Sequence, residues 1–207
     1  MSFPMTIDAA ELNALQELVN LGVGSAAGTL NEMLDTHIDL QVPYVQTYPF
    51  SEAKHLLVER LNSQIISSVQ LHFSGTFTGM AQIVFPTESA SALISELTGE
   101  EIGSCDLDAV KVGTLSEVGN IVLNGVMGTI GNILHEPLQY SLPAYVENTV
   151  DQLLTSPDFS TDTTIILVQT HFSIQALQVT GDIILIFKVG SFACFLRSIY
   201  QYLEQIS

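Results

Sequence analysis

The sequence predicts an α+β domain of two pseudo-twofold-related αβ repeats, with one continuous, mostly antiparallel sheet and two long helices packed on one face. Three observations predict it. Each half opens on a long run with helical apolar spacing. Each then switches to a period of two. The halves also share short stretches in the same order.

Asp8 and Glu11 form an Asp-x-x-Glu capping box. Apolar residues follow at Leu12, Leu15, Val19, Val23, Leu30 and Leu34, which predicts a helix over about 9–34. Gly22, Gly24 and Gly28 fall inside it. Each costs up to about 1 kcal/mol against Ala, so together they predict close approach of another backbone. Alternation predicts strands over 38–48, 64–73 and 80–85, the last two joined by a Gly-containing turn, and a short helix over 87–97. A polar, acidic linker spans 99–106. The second copy repeats the plan. A helix is predicted over 107–134, with Gly119, Gly125, Gly128 and Gly131 inside it. Strands are expected over 138–146, 163–178 and 181–189, and a final helix over 192–205. That makes three strands per copy and six in all, mostly antiparallel because hairpins connect them. Residues 1–207 read as one domain of two repeats, about 8–98 and 107–206.

The repeat rests on four matches in order. Glu17 and Asn20 match Glu117 and Asn120. Twenty-two residues separate Asn20 from Pro43, and twenty-two separate Asn120 from Pro143. VQLHFS (69–74) answers VQTHFS (168–173). GMAQIVFP then answers GDIILIFK, with about three residues inserted before it.

Composition narrows the function. Hydrophobic residues make up 47% of the 207, enough for a sizeable core, and charged residues only 13%. Five Lys and Arg stand against 22 Asp and Glu, a formal charge of -17. Such a surface repels nucleic acid and anionic membrane. Cys105 and Cys194 lack CxxC spacing and read as reduced thiols of a soluble, cytoplasmic protein. The N-terminus has no basic start or apolar run of the signal-peptide kind. The longest apolar stretch is broken by Lys188, Gly190 and Ser191, and falls short of the roughly 20 residues a span needs. His37, His55, His72, His135 and His171 are scattered without metal-ligand spacing, His72 and His171 being echoes of the duplication. There is no GxSxG and no P-loop pattern. No metal or cofactor of its own is expected.

Residues three apart share a helix face, so Glu17 projects with Asn20 and Glu117 with Asn120, to one side of the apolar stripe. A solvated helix face is the ordinary place for such residues. Their recurrence at equal distance from a proline is what sets them apart. The pattern resembles the CheC/FliY/CheX group of chemotaxis phosphatases, CheC-type proteins most of all. That group carries Asp/Ser-x3-Glu-x2-Asn-x22-Pro, matched by Glu17, Asn20 and Pro43 and by Glu117, Asn120 and Pro143. The chain departs at the first position, which falls on Asn13 and Gly113.

The resemblance implies hydrolysis of the aspartyl phosphate on a CheY-type response regulator. An acyl phosphate is already activated and needs an oriented water. A carboxamide offers a donor and an acceptor without a negative charge, the role implied for Asn20 and Asn120. Glu17 and Glu117 would contact the regulator's active-site lysine. The Mg ion would sit on the regulator. Two other classes stay open: a non-catalytic adaptor that binds a response regulator or the receptor deamidase CheD, and a duplicated structural domain with no active site.

Overall fold

The computed structural model describes residues 7–34, 37–61, 65–99, 107–154, 163–174, 177–188 and 190–206. Cys105 and residues 100–106 of the expected linker lie outside them, as do residues 175, 176 and 189 of the expected last strands.

The capping box forms as the sequence indicates. The Glu11 amide donates to Asp8 Oδ1 and the Asp8 amide to Glu11 Oε2, each at 2.8 Å. Helix α1 (Ala9–Leu34) starts there. Strand β1 (Ile38–Pro49), helix α2 (Phe50–Arg60), strands β2 (Ile65–Ser74) and β3 (Gly79–Pro86) and helix α3 (Thr87–Thr98) complete the first copy. Gly99 ends α3 with φ of 70°, a left-handed conformation that suits glycine. The second copy contains α4 (Leu107–Ile133), β4 (Gln139–Tyr140), β5 (Ala144–Thr149), α5 (Val150–Leu153), β6 (Thr164–Ile174), β7 (Leu177–Phe187) and α6 (Ser191–Ile206).

All paired strands are antiparallel, in the order β1-β6-β7-β3-β2-β4, with β5 also on β2. Exchanging the copies swaps β1 with β4 and β5, β2 with β6 and β3 with β7, and the order then reads the same from the other rim. The pseudo-twofold therefore passes between β3 and β7. The ladders refine the repeat. Val69 pairs Ile83 and Val168 pairs Ile183, so Ile83 corresponds to Ile183. Matching GMAQIVFP to GDIILIFK sets Ile83 against Leu185, two residues away. A slip of two keeps every side chain on its face, so the sequence match looks sound although the pairing differs.

Both long helices cover one face, with α3 and α6 beside them. Leu15, Leu18 and Val19 of α1 and Leu115, Val122 and Leu123 of α4 join Val69, Leu71, Ile83, Val168 and Leu185 of the sheet in one buried cluster. The other face carries a smaller layer that the sequence reading leaves unassigned. Ala53 and Leu57 of α2, and Val150 and Leu153 of α5, cover Ile66, Met80, Val84, Ile165 and Ile184 there. Among the described residues seven strands replace the expected six, because the strand expected over 138–146 is broken into β4 and β5.

Proline causes that break. Pro143 lies in it, and a proline has no N–H to give a ladder. From Tyr140↔Phe73 to Ala144↔Gln70 the outer strand advances four residues and β2 three. The first copy does the same at Pro43. From Gln41↔His171 to Tyr44↔Gln169, β1 advances three residues and β6 two. Each is a bulge with one extra residue. It also reverses the alternation of β1, which explains why Ile38, Leu40 and Val45 all reach the same core despite their uneven spacing.

Candidate functional site

The helix crossing fixes where the site residues stand. A Cβ on Gly22 would lie 2.6 Å from Val126 Cα, and one on Gly125 would lie 2.9 Å from Ala26 Cβ. The two backbones therefore meet there, as the glycines predict. Gly119 performs the same service against the sheet, where a Cβ would lie 2.5 Å from Val69 Cβ. Gly24, Gly28 and Gly128 do not: nothing lies within 4 Å of their would-be Cβ atoms. The expectation of close approach thus holds for only some of the helical glycines.

Away from the core, each long helix carries a matched stripe. On α1 it runs Asn13, Glu17, Asn20, Gly24, all exposed. On α4 it runs Gly113, Glu117, Asn120, Asn124, the first two exposed and the asparagines half-buried. Helical spacing brings Glu17 beside Asn20 and Glu117 beside Asn120.

The two copies differ in detail. Asn124 Nδ2 donates to Asn120 Oδ1 at 2.5 Å. Position 24, its counterpart, is a glycine with no side chain to offer Asn20. Sequence reading misses Asn124 because it looks for what both copies share. Its spacing of four from Asn120 was the available signal. Glu117 also borders an apolar groove of about 400 Å³ lined by Leu30, Met33, Leu97, Gly113, Val118 and Ile121.

Toward the start of α4, Lys111 pairs with Glu147 of β5. Tyr145 Oη donates to Glu147 Oε1 at 2.7 Å and lies within hydrogen-bond distance of Ser67 Oγ, at 3.2 Å. The Lys111 hydrogen bond, joined by that from Tyr145, holds the Glu147 carboxyl below its ordinary range. Thus a cation close to the second stripe is already paired. Pro143 is half-buried at the β4–β5 break, where the Ser141 amide donates to the His72 carbonyl and the His72 amide to Ser141 Oγ, each at 2.9 Å. Among the described residues no three His, Cys, Asp or Glu side chains gather as metal ligands would, and no helix is long and apolar enough to cross a membrane.

Residues 11–46 match the model of the CheC-like family, a span that includes Asn13, Glu17, Asn20 and Pro43. The chain is 26% identical over 148 residues to the CheY-P phosphatase CheC of Bacillus subtilis (strain 168), covering 69% of each. In fold it is similar to FliY of Thermotoga maritima, with TM-score 0.75 and 19% identity, covering 98% of this chain and 100% of that one. It is also similar to the FliM–SpeE complex structure of H. pylori, with TM-score 0.70 and 10% identity, covering 95% and 98%. The chemotaxis protein CheX of a Desulfovibrio desulfuricans subspecies matches with TM-score 0.51 and 14% identity, over 82% and 99%. The CheC-type resemblance carried by the motif is therefore met again in a relative's sequence, and the fold is similar to those of FliY, FliM and CheX.

Proposed function

We propose that this chain, similar in sequence to a CheC-type protein, hydrolyses the aspartyl phosphate of a CheY-type response regulator. The observation that carries the reading is the repeated outward stripe pairing a carboxylate with a carboxamide, in a chain 26% identical to a CheY-P phosphatase. Water attacks the phosphorus, the P–O bond to the aspartyl oxygen breaks, and a carboxylate and inorganic phosphate result. The protein supplies position rather than a nucleophile. Asn20 or Asn120 holds the water, accepting from it with Oδ1 and leaving Nδ2 to donate. Glu17 or Glu117 meets the lysine beside the regulator's phosphorylation site and sets the register of docking. The divalent metal that neutralises the phosphoryl oxygens belongs to the regulator.

The test is loss of phosphate from a phosphorylated CheY-type regulator. The Asn20→Ala/Asn120→Ala protein is expected to lose on the order of 100-fold of its acceleration, the scale of a misplaced reacting group. It should still bind the regulator, since both glutamates remain. An unchanged rate sinks the mechanism. A protein that binds the regulator or CheD and never accelerates loss is an adaptor instead.

A further inference from the structure

We infer that Asn124 is a positioning residue that fixes the carboxamide of Asn120, a restraint the first copy lacks. The inference rests on the phosphatase reading above. A carboxamide can present either its oxygen or its nitrogen to a water, and the two orientations are not equivalent in function. Asn124 Nδ2 donates to Asn120 Oδ1 at 2.5 Å and so selects one of them. The carbonyl oxygen retains a second lone pair for the water, and Asn120 Nδ2 stays free to donate toward a phosphoryl oxygen.

The anchor is itself held. Asn124 precedes Gly125, which presses α4 against Ala26 of α1, so its backbone sits where the helices cross. Both asparagines are half-buried, which restricts their rotamers and strengthens the hydrogen bond between them. In the first copy Asn20 is exposed and faces Gly24, and nothing lies within 4 Å of a Cβ built there. Position 24 therefore has room for the side chain that position 124 carries.

An amide pair at this spacing also supports the helix. A purely structural role would change stability and leave the balance of kcat and KM alone. In an Asn20→Ala background, which reports the second copy, Asn124→Leu keeps the bulk and removes the donor. We expect kcat to fall about five- to tenfold, the rate equivalent of one neutral hydrogen bond, with KM unchanged. In an Asn120→Ala background, Gly24→Asn should raise kcat by a similar factor. If Asn124→Leu lowers only the urea midpoint, the inference is overturned.

Side-chain amide NMR reads the same restraint without the reaction. The Asn120 carboxamide should be rigid, the Asn20 carboxamide mobile, and Asn124→Leu should release the former. Equal mobility of Asn20 and Asn120 in the unmutated protein overturns the inference. A protein with no phosphatase activity but a rigid Asn120 overturns the phosphatase reading and leaves the restraint standing.

Discussion

Asp182 is a carboxyl where a carboxylate is costly. It faces the layer under α2, with its side chain 5% exposed, and receives Arg60 Nη2 at 2.7 Å. Burial raises its pKa to about 6, and the Arg60 charge only partly opposes this. Between about pH 4 and 6 the folded chain keeps a proton that the unfolded chain has released. The stabilisation is full at the acidic end and is lost as pH rises through 6, by up to about 3 kcal/mol. Urea unfolding of Asp182→Asn and the parent at pH 4 and pH 7 checks this. The variant should gain on the parent by that order as pH rises, and parallel curves would sink the assignment. Gln82, which the ladder sets in the equivalent place, is fully buried, and its Nε2 has no hydrogen-bond partner among the described residues. Neither polar group was flagged by the sequence, because the displaced match put Met80 opposite Asp182 and hid their equivalence. Glu17, Asn20, Glu117 and Asn120 were legible for the opposite reason: polar residues in apolar, duplicated helices stand out against their surroundings.

Helices of this chain use glycine in two ways that sequence does not distinguish. Gly22→Ala would force a methyl to 2.6 Å from Val126 Cα, and a backbone atom cannot step aside. The α1–α4 crossing would have to open, at about 1–3 kcal/mol or more. Gly28→Ala, in the same helix and free of neighbours, should gain up to about 1 kcal/mol from helix propensity alone. Urea midpoints of the two variants should move in opposite directions. A loss in both would mean that Gly28 too is held by a contact. The long helices were legible because their apolar period persists over many turns. Helix α2 was not, since it is short and fully buries only Ala53 and Leu57, continued by Leu61 beyond its end, with Phe50 and Val58 partly buried beside them. Helix α5 is a single turn, marked only by the Thr149–Gln152 capping box, with Gln152 donating its amide to Thr149 Oγ1 at 3.4 Å.

At the scale of the whole molecule, duplication made the fold readable. Two copies of one αβ unit must share a sheet if their long helices are to cross over a common core, and a twofold then sets the strand order. What the sequence could not reveal was register. Pairing between β3 and β7 joins the copies, and its alignment depends on contacts far apart in the chain. The bulges were equally hidden, although the prolines that cause them were in plain view. Those prolines also matter beyond register. The outer strands of the sheet are β1 on one side and β4 and β5 on the other, and these are the strands that Pro43 and Pro143 interrupt. An unbroken rim offers a row of free N–H and C=O groups to any extended chain that meets it, and proline and bulges are ways of blunting it. Pro43→Val/Pro143→Val should therefore raise concentration-dependent light scattering on mild heating, while the single exchange Pro137→Val, outside both rims, should not. The constant distance from asparagine to proline then has a colloidal meaning: the same residue pair that recurs with the site keeps each copy from recruiting a stranger's strand.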